Sequence, residues 1–236
     1  MQLYTNLQTK FKMIIVTSIA PGHANKDNQI HAVNSWQKHG TCLSVNTAVE
    51  IEILQKSYIN IGFIVTKKTV YPLLKKPLIN LNAVLDLAAG LDEDLFLINS
   101  DIVIKELPDL KQDGITIFSR YDYETDMEEN QMFPWGFDAA FIPKDFLKIF
   151  PPSVYSLGAC FWDLSLPLRA IQSGVPLYYP KGKFIFHKKH EAQWSQSEWI
   201  RMGEYFRWEF NFDKNMELGS IATAAMNTIR TKMITY

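Results

Sequence analysis

Short apolar runs alternate with segments of helical periodicity through the first hundred residues. Met13–Ser18 is a compact run rich in β-branched residues, the pattern of a central strand. The loop Ile19–Gly22 follows. Gln29–His39 then reads as a helix with Ile30, Val33 and Trp36-Gln37 toward its buried side, stopped by Gly40. Cys42–Asn46 is a second strand, Val49–Ser57 a second helix carrying Ile51, Ile53 and Leu54, and Asn60–Thr66 a third strand. In Leu78–Gly90, the residues Leu81, Val84, Leu85 and Ala88 recur at helical spacing, and Leu95–Ile98 is a fourth strand. This β-α-β-α-β order predicts an α/β fold with a parallel sheet and right-handed crossovers.

Beyond residue 110 the pattern is less regular. Strands are expected at Gly114–Ser119, Phe137–Ile142 and Val175–Tyr179, with a short extended piece at Phe184–His187. Helices are expected at Lys144–Phe150, at Phe161–Ser173 with a break at Pro167, and at Ser195–Phe210, where Trp199 and Trp208 are read with Trp194 as packing onto the sheet. Asp122–Asn130 is an acidic segment expected to be a mobile loop. A peripheral helix is expected after about Lys214.

A chain of 236 residues, 47% of them hydrophobic, can bury the core of one large domain. A formal net charge of −1 provides no general field for nucleic acid or membranes, so no nucleic-acid partner is expected. Local basic pairs remain at Lys67-Lys68 and Lys75-Lys76, and within 181–189. Cys42 and Cys160 are far apart with no CxxC spacing, which points to free thiols in a reducing compartment. Met1–Leu7 lacks the charged-then-apolar pattern of a secretory leader, and no apolar run is long enough to span a bilayer. The expectation is a soluble, cytoplasmic protein with no integral membrane span.

Residues 95–104 carry the most specific signal. Two apolar runs, Leu95–Ile98 and Ile102–Ile104, enclose Asn99-Ser100-Asp101. A carboxylate set between buried runs is costly without a partner, and a divalent metal at the carboxyl edge of the sheet would be one. The same three residue types also favour turns and caps, so a simple strand end is the competing reading.

The element order together with Asn99-Ser100-Asp101 resembles the GT-A glycosyltransferases, from about Lys12 to about Trp199. The resemblance implies a Rossmann-like three-layer α/β/α sandwich with a mostly parallel, mixed central sheet. It implies a single domain over 1–236, with a nucleotide-binding half at 12–110, an acceptor-side half at 111–213 and a peripheral C-terminal helix at 214–236. It also implies a nucleotide-diphosphate sugar donor, a UDP-sugar foremost, a glycan or other hydroxyl acceptor, and a Mn²⁺ or Mg²⁺ ion. In the family an Asp-X-Asp-type motif ends the fourth strand. Here Asn99 replaces its first acid, which removes one charge and leaves Asp101 as the metal ligand.

The remaining site expectations follow from that resemblance. His187, and less strongly His190, would complete the metal site, while a histidine simply ending a strand is the plainer alternative. Thr17, Ser18 and Ala20 after the first strand and Asn46 after the second would meet the nucleotide. Asn99 would support the ribose or a metal-bound water, and Ser100 with Lys76, Asn80 and Asn82 of the preceding segment would also bind the donor. Trp135 and Asp138, in Trp135-Gly136-Phe137-Asp138, would shape the sugar pocket, although a glycine turn with a local Asp cap reads as well. Asp163 would be the general base or an acceptor anchor, with an N-cap as the alternative, and Arg169 its partner or a phosphate contact. His23, His31 and His39 read as structural or surface residues. The acidic 122–130 loop would close as a lid.

No GxGxxG, GxxxxGK[ST] or GxSxG pattern is present, which argues against dinucleotide-binding, P-loop and hydrolase readings. A sugar-nucleotidyltransferase remains an alternative, though Ile19–Asn25 lacks its Gly-rich basic loop. A non-catalytic carbohydrate- or nucleotide-binding protein of the same fold is the other.

Overall fold

The computed structural model describes residues 13–23, 25–190 and 194–236. Its centre is an eight-stranded sheet built around β1 (Met13–Thr17). β2 (Thr41–Asn46) and β4 (Asp94–Ile98) flank β1 in parallel, with β3 (Gly62–Val65) beyond β2. On the other side β9 (Ala139–Ile142) runs antiparallel between β4 and β6 (Ile115–Phe118). β10 (Leu177–Tyr179) and β12 (Ile234–Thr235) complete that edge in parallel.

The strands are continuously apolar because both sheet faces are covered. Successive side chains point to opposite faces, so Ile14, Val16, Leu95 and Leu97 join one core and Ile15, Phe96 and Ile98 the other. Val33 and Trp36 of α1 (Lys26–Trp36) cover the second face. The first is covered by α4 (Leu81–Leu91), α5 (Trp162–Gln172), α6 (Gln196–Glu209) and α7 (Leu218–Lys232). The expected three-layer α/β/α sandwich with a mostly parallel, mixed sheet is therefore the fold.

Local chemistry sets the element ends. Thr47 and Glu50 form a reciprocal capping box at the start of α2 (Ala48–Leu54), and Asn80 caps α4 by accepting the Asn82 N–H at 2.8 Å. Several expectations need correction. α1 begins before Gln29 and ends at Trp36, leaving Gln37 exposed. α5 runs unbroken through Pro167, which removes one amide without stopping the helix. Residues 144–149 form a 3-10 helix, and a one-turn α3 (Tyr71–Leu74) appears where none was expected. Trp208 is 75% exposed and so does not pack onto the sheet. At the C-terminus, Ile221, Ala225 and Ile229 of α7 are fully buried in the same core as α5.

A second sheet forms beside the carboxyl edge of the first, in the order β5 (Ile102–Ile104), β11 (Ile185–Lys188), β7 (Tyr121–Tyr123), β8 (Asn130–Met132). The segment expected as one mobile loop is thus a hairpin at its ends, with Tyr123 paired to Asn130. Asp122 lies within β7, opposite both His187 and Gln131. Among the described residues, no helix is long and apolar enough to cross a membrane.

Candidate active site

The polar step after β4 is held by its neighbours. Asp101 precedes β5, whose pairing with β11 sets His187 opposite Ile102. His190 follows two residues after β11, and His23 comes from the turn leaving β1. All three imidazoles converge on one carboxylate oxygen. Asp101 Oδ2 lies 2.9 Å from His190 Nε2 and 3.4 Å from Nε2 of both His187 and His23. The His187 and His190 Nε2 atoms are 3.0 Å apart. Sequence reasoning placed His23 among structural or surface residues. Its signal was the Pro21-Gly22 pair, which turns the chain back over the carboxyl edge.

The charges follow from this arrangement. Burial works to raise the Asp101 pKa, but the hydrogen bonds from His187, His190 and His23 prevail and hold it well below the ordinary value. For His187, burial favours the neutral ring. The Asp101 and Asp122 hydrogen bonds overcome it and lift the pKa to about 9.

A chain of polar contacts continues away from this cluster. His187 Nδ1 meets Asp122 Oδ1 at 2.9 Å, and the same oxygen accepts from Arg120 Nε at 2.8 Å. Arg120 Nη1 reaches Asp138 Oδ1 and Oδ2 at 3.1 and 3.2 Å, while its guanidinium lies 4.0 Å from the Phe133 ring centroid. Asn99 Nδ2 donates to Asp138 Oδ1 at 2.7 Å, and its backbone N–H donates to the Asp138 carbonyl at 3.1 Å. Asn99 is thus tied to Asp138, on the far side of the polar step from the histidines.

Asp163, in the first turn of α5, accepts the Phe137 N–H at 3.3 Å. Burial, and then the charge of Asp138, push its pKa up to about 7. Phe161, just before the helix, has φ 70°, a strained value for a bulky residue, and its ring lies 4.5 Å from that of Trp199 at a 34° tilt. Trp199 itself stacks against the half-open Trp194, with ring centroids 5.7 Å apart.

Other residues singled out in the sequence have local partners. Ser100 Oγ accepts from Gln29 Nε2 at 2.7 Å, and Gln29 Oε1 accepts from Tyr58 OH at 3.1 Å, which fixes α1 to the polar step. Asn46 accepts from Ser44 Oγ at 2.6 Å and donates to the Ile19 carbonyl at 2.9 Å, bracing the loop after β1. On that loop Ser18 is half-buried and Ala20 exposed. Thr17 is fully buried, and its Oγ1 has no hydrogen-bond partner among the described residues. Asn80 and Asn82 both donate to the Ser153 carbonyl, at 2.8 and 3.1 Å. They line a groove of about 540 Å³ that contains none of the histidine cluster. Lys76 pairs with Glu198 at 2.8 Å, and Arg169 pairs with Glu209 and not with Asp163. Trp135 is 62% exposed. Cys42 and Cys160 are buried free thiols, both pushed up to about 12 mainly by that burial.

No family model and no curated protein sequence matches the chain. Two solved structures are similar in outline. One, from Thermus thermophilus, is described as a mannose-1-phosphate geranyltransferase; it shows 10% identity and a TM-score of 0.33, over 95% of this chain and 69% of that one. The other is the glycosyltransferase GlyE of Streptococcus pneumoniae, with 13% identity and a TM-score of 0.32, over 96% of this chain and 65% of that one. Likenesses this distant carry no argument about chemistry, which rests on the residues themselves.

Proposed function

We propose that the protein is a GT-A-type glycosyltransferase, moving a sugar from a nucleotide-diphosphate donor to a hydroxyl acceptor with the help of a divalent cation. The observation that carries this reading is the placing of Asp101. It ends the Asn99-Ser100-Asp101 step at the carboxyl edge of β4, where open α/β sheets bind ligands, and imidazole nitrogens converge on it. The donor set fits a cation: Asp101 with His187, joined by His190, offers an anionic oxygen and two nitrogens within 3.4 Å of one another.

When bound, the cation would neutralise charge building on the departing diphosphate, worth several kcal/mol. The other tasks fall to the chain. In this reading Asp163 takes the proton of the acceptor hydroxyl as that oxygen bonds to the anomeric carbon and the bond from that carbon to the diphosphate breaks. A carboxyl raised to about 7 suits a base working near neutrality. Asp138, gripped by Arg120 and Asn99, would fix the sugar-side wall, with exposed Trp135 available for a sugar face. The half at 12–110 would hold the nucleotide and the half at 111–213 the acceptor.

Thermal shift with a panel of nucleoside diphosphates, with and without Mn²⁺, tests the reading. A cation-dependent stabilisation of about 2.7 kcal/mol at 100 times the dissociation constant, lost in Asp101→Ala, is expected. Absence of a shift with every nucleotide would refute the donor site. Release of pyrophosphate from a nucleoside triphosphate and a sugar phosphate would favour the nucleotidyltransferase alternative.

A further inference from the structure

The three histidines around Asp101 present similar rings to one oxygen, yet their hydrogen bonds make them unequal. We infer that His187 and His190 join Asp101 as a two-nitrogen, one-oxygen face for a first-row transition-metal ion, and that His23 is a hydrogen-bonding anchor for Asp101 and no ligand. A site so built takes Zn²⁺ or Co²⁺ well ahead of Mg²⁺. The inference rests on the reading that Asp101 holds a cation.

Spacing comes first. Asp101 Oδ2, His187 Nε2 and His190 Nε2 form a triangle with edges of 2.9, 3.0 and 3.4 Å. An ion bonded at roughly 2.0–2.2 Å needs donors about 3.0 Å apart for octahedral and about 3.4 Å for tetrahedral geometry. The triangle already has those edges, so an ion could be seated with little rearrangement. The ligand atoms of His23, Asp101 and His190 also lie within 4.8 Å of one another, so spacing alone would admit His23.

Hydrogen bonding separates them. His187 Nδ1 faces the Asp122 carboxylate at 2.9 Å and carries a proton there, so a metal need only displace the proton that Nε2 shares with Asp101 to take its lone pair. His23 is arranged the other way. Its Nδ1 accepts the Asn25 N–H at 3.1 Å, so the proton of the neutral ring sits on Nε2, facing Asp101 Oδ2. This is the neutral ring's only proton, and displacing it would leave an imidazolate or cost the Asn25 contact, so Nε2–H holds the carboxylate in place and does not ligate. Swapping the tautomer would break the Asn25 contact and set two N–H groups against each other.

Donor chemistry then selects the ion. Mg²⁺ demands near-octahedral oxygen coordination, whereas imidazole nitrogen suits zinc and its first-row neighbours. With nitrogen supplying two of three protein donors, Mg²⁺ is disfavoured from the start.

The test uses the whole protein, the metals alone, and glutamine in place of each histidine. A Gln amide can supply the N–H donor of His23 but cannot replace an imidazole ligand. Isothermal titration with Co²⁺, Zn²⁺ and Mg²⁺ is paired with the visible spectrum of the Co²⁺ form. His187→Gln and His190→Gln are expected to weaken Co²⁺ at least about 10-fold and to change its spectrum. His23→Gln should stay within about 3-fold with the same spectrum, and His23→Leu should lose about 10-fold. If His187→Gln fails to fold, Asp122→Asn, which loosens the same ring, is expected to weaken Co²⁺ about 10-fold. Mg²⁺ binding as tightly as Zn²⁺, His23→Gln weakening Co²⁺ as much as His190→Gln, or no ion binding at all would each overturn the inference. Nucleoside diphosphate binding, followed separately by thermal shift, judges the transferase reading. Co²⁺ binding as expected here, together with no thermal shift from any nucleoside diphosphate, would sink that reading and leave this inference standing.

Discussion

Gly136 and Asp163 are matched so closely that a methyl group on the first would collide with the second: a Cβ at Gly136 would sit 2.3 Å from Asp163 Oδ2. The contact comes from the chain's own path, since the next residue's N–H, that of Phe137, donates to the same carboxylate oxygen at 3.3 Å. The absent side chain is therefore what lets the backbone cradle the carboxyl group. Gly136→Ala must displace Asp163, and a displacement of about 1 Å can cost about 100-fold in rate. The expected result is a fall of that order in kcat with nucleotide affinity unchanged. Retention of full kcat would mean that Asp163 takes no part in the chemistry.

Asp163 also predicts a pH dependence. Burial and the Asp138 charge raise its pKa from 3.8 to about 7, so the folded state keeps a proton that the unfolded chain has lost. Between those values the native state binds more protons, and stability falls as pH rises. The contribution is fully present below pH 3.8 and gone above about 7. If Asp163 is the base proposed above, the rate should move oppositely, rising as the carboxyl ionises near 7. Denaturant titrations from pH 4 to 8 should show a smaller stability loss in Asp163→Asn than in the wild type. Parallel pH curves for the two proteins would contradict the assignment.

Arg120 is the cation set between Asp122 and Asp138, with side-chain exposures of 20%, 15% and 9%. Removing it leaves two enclosed carboxylates facing one another's field. Arg120→Met should cost about 3 kcal/mol, the lower end for breaking a buried pair, because the guanidinium retains some solvent. The double variant Arg120→Met/Asp138→Asn should recover part of that loss. A double-mutant cycle by urea denaturation measures it, and strict additivity would show that the pair does not couple.

How much was legible follows from which interactions leave a local trace. Alternating apolar runs gave away β1, β2 and β4, because a strand covered on both faces must be apolar at successive positions. Asp101 was visible for the opposite reason, as a charge where the pattern forbids one. His187 was singled out by the family resemblance together with its place at the end of an apolar run. Asp122 was misplaced, because a three-residue strand containing Tyr-Asp-Tyr has no period to detect. His23 and Arg120 were missed as well. His23 meets Asp101 far along the chain, and Arg120, although Asp122 is only two residues away, has its second carboxylate at Asp138, so neither arrangement shows as a local pattern.

Trp36 carries the last prediction, since it connects the helical layer to the polar step. It is fully buried, and its indole Nε1–H donates to the Ile102 carbonyl at 2.8 Å, one residue past Asp101. Nearby, Ser35 Oγ accepts the Ile104 N–H at 2.9 Å, so α1 holds both ends of β5. Trp36→Phe keeps most of the apolar volume but leaves the Ile102 carbonyl buried without this donor. That loss should cost about 1–3 kcal/mol. Because Ile102 pairs with His187, the slackening should also reach the proposed cation site. The expected outcome is a lower midpoint in urea together with weaker Co²⁺ binding, whereas Ser35→Ala, acting at the far end of β5, should lower stability and leave Co²⁺ affinity nearly unchanged. Equal effects of the two substitutions on Co²⁺ would show that β5 moves as one rigid piece, and that Trp36 holds no special place beside Asp101.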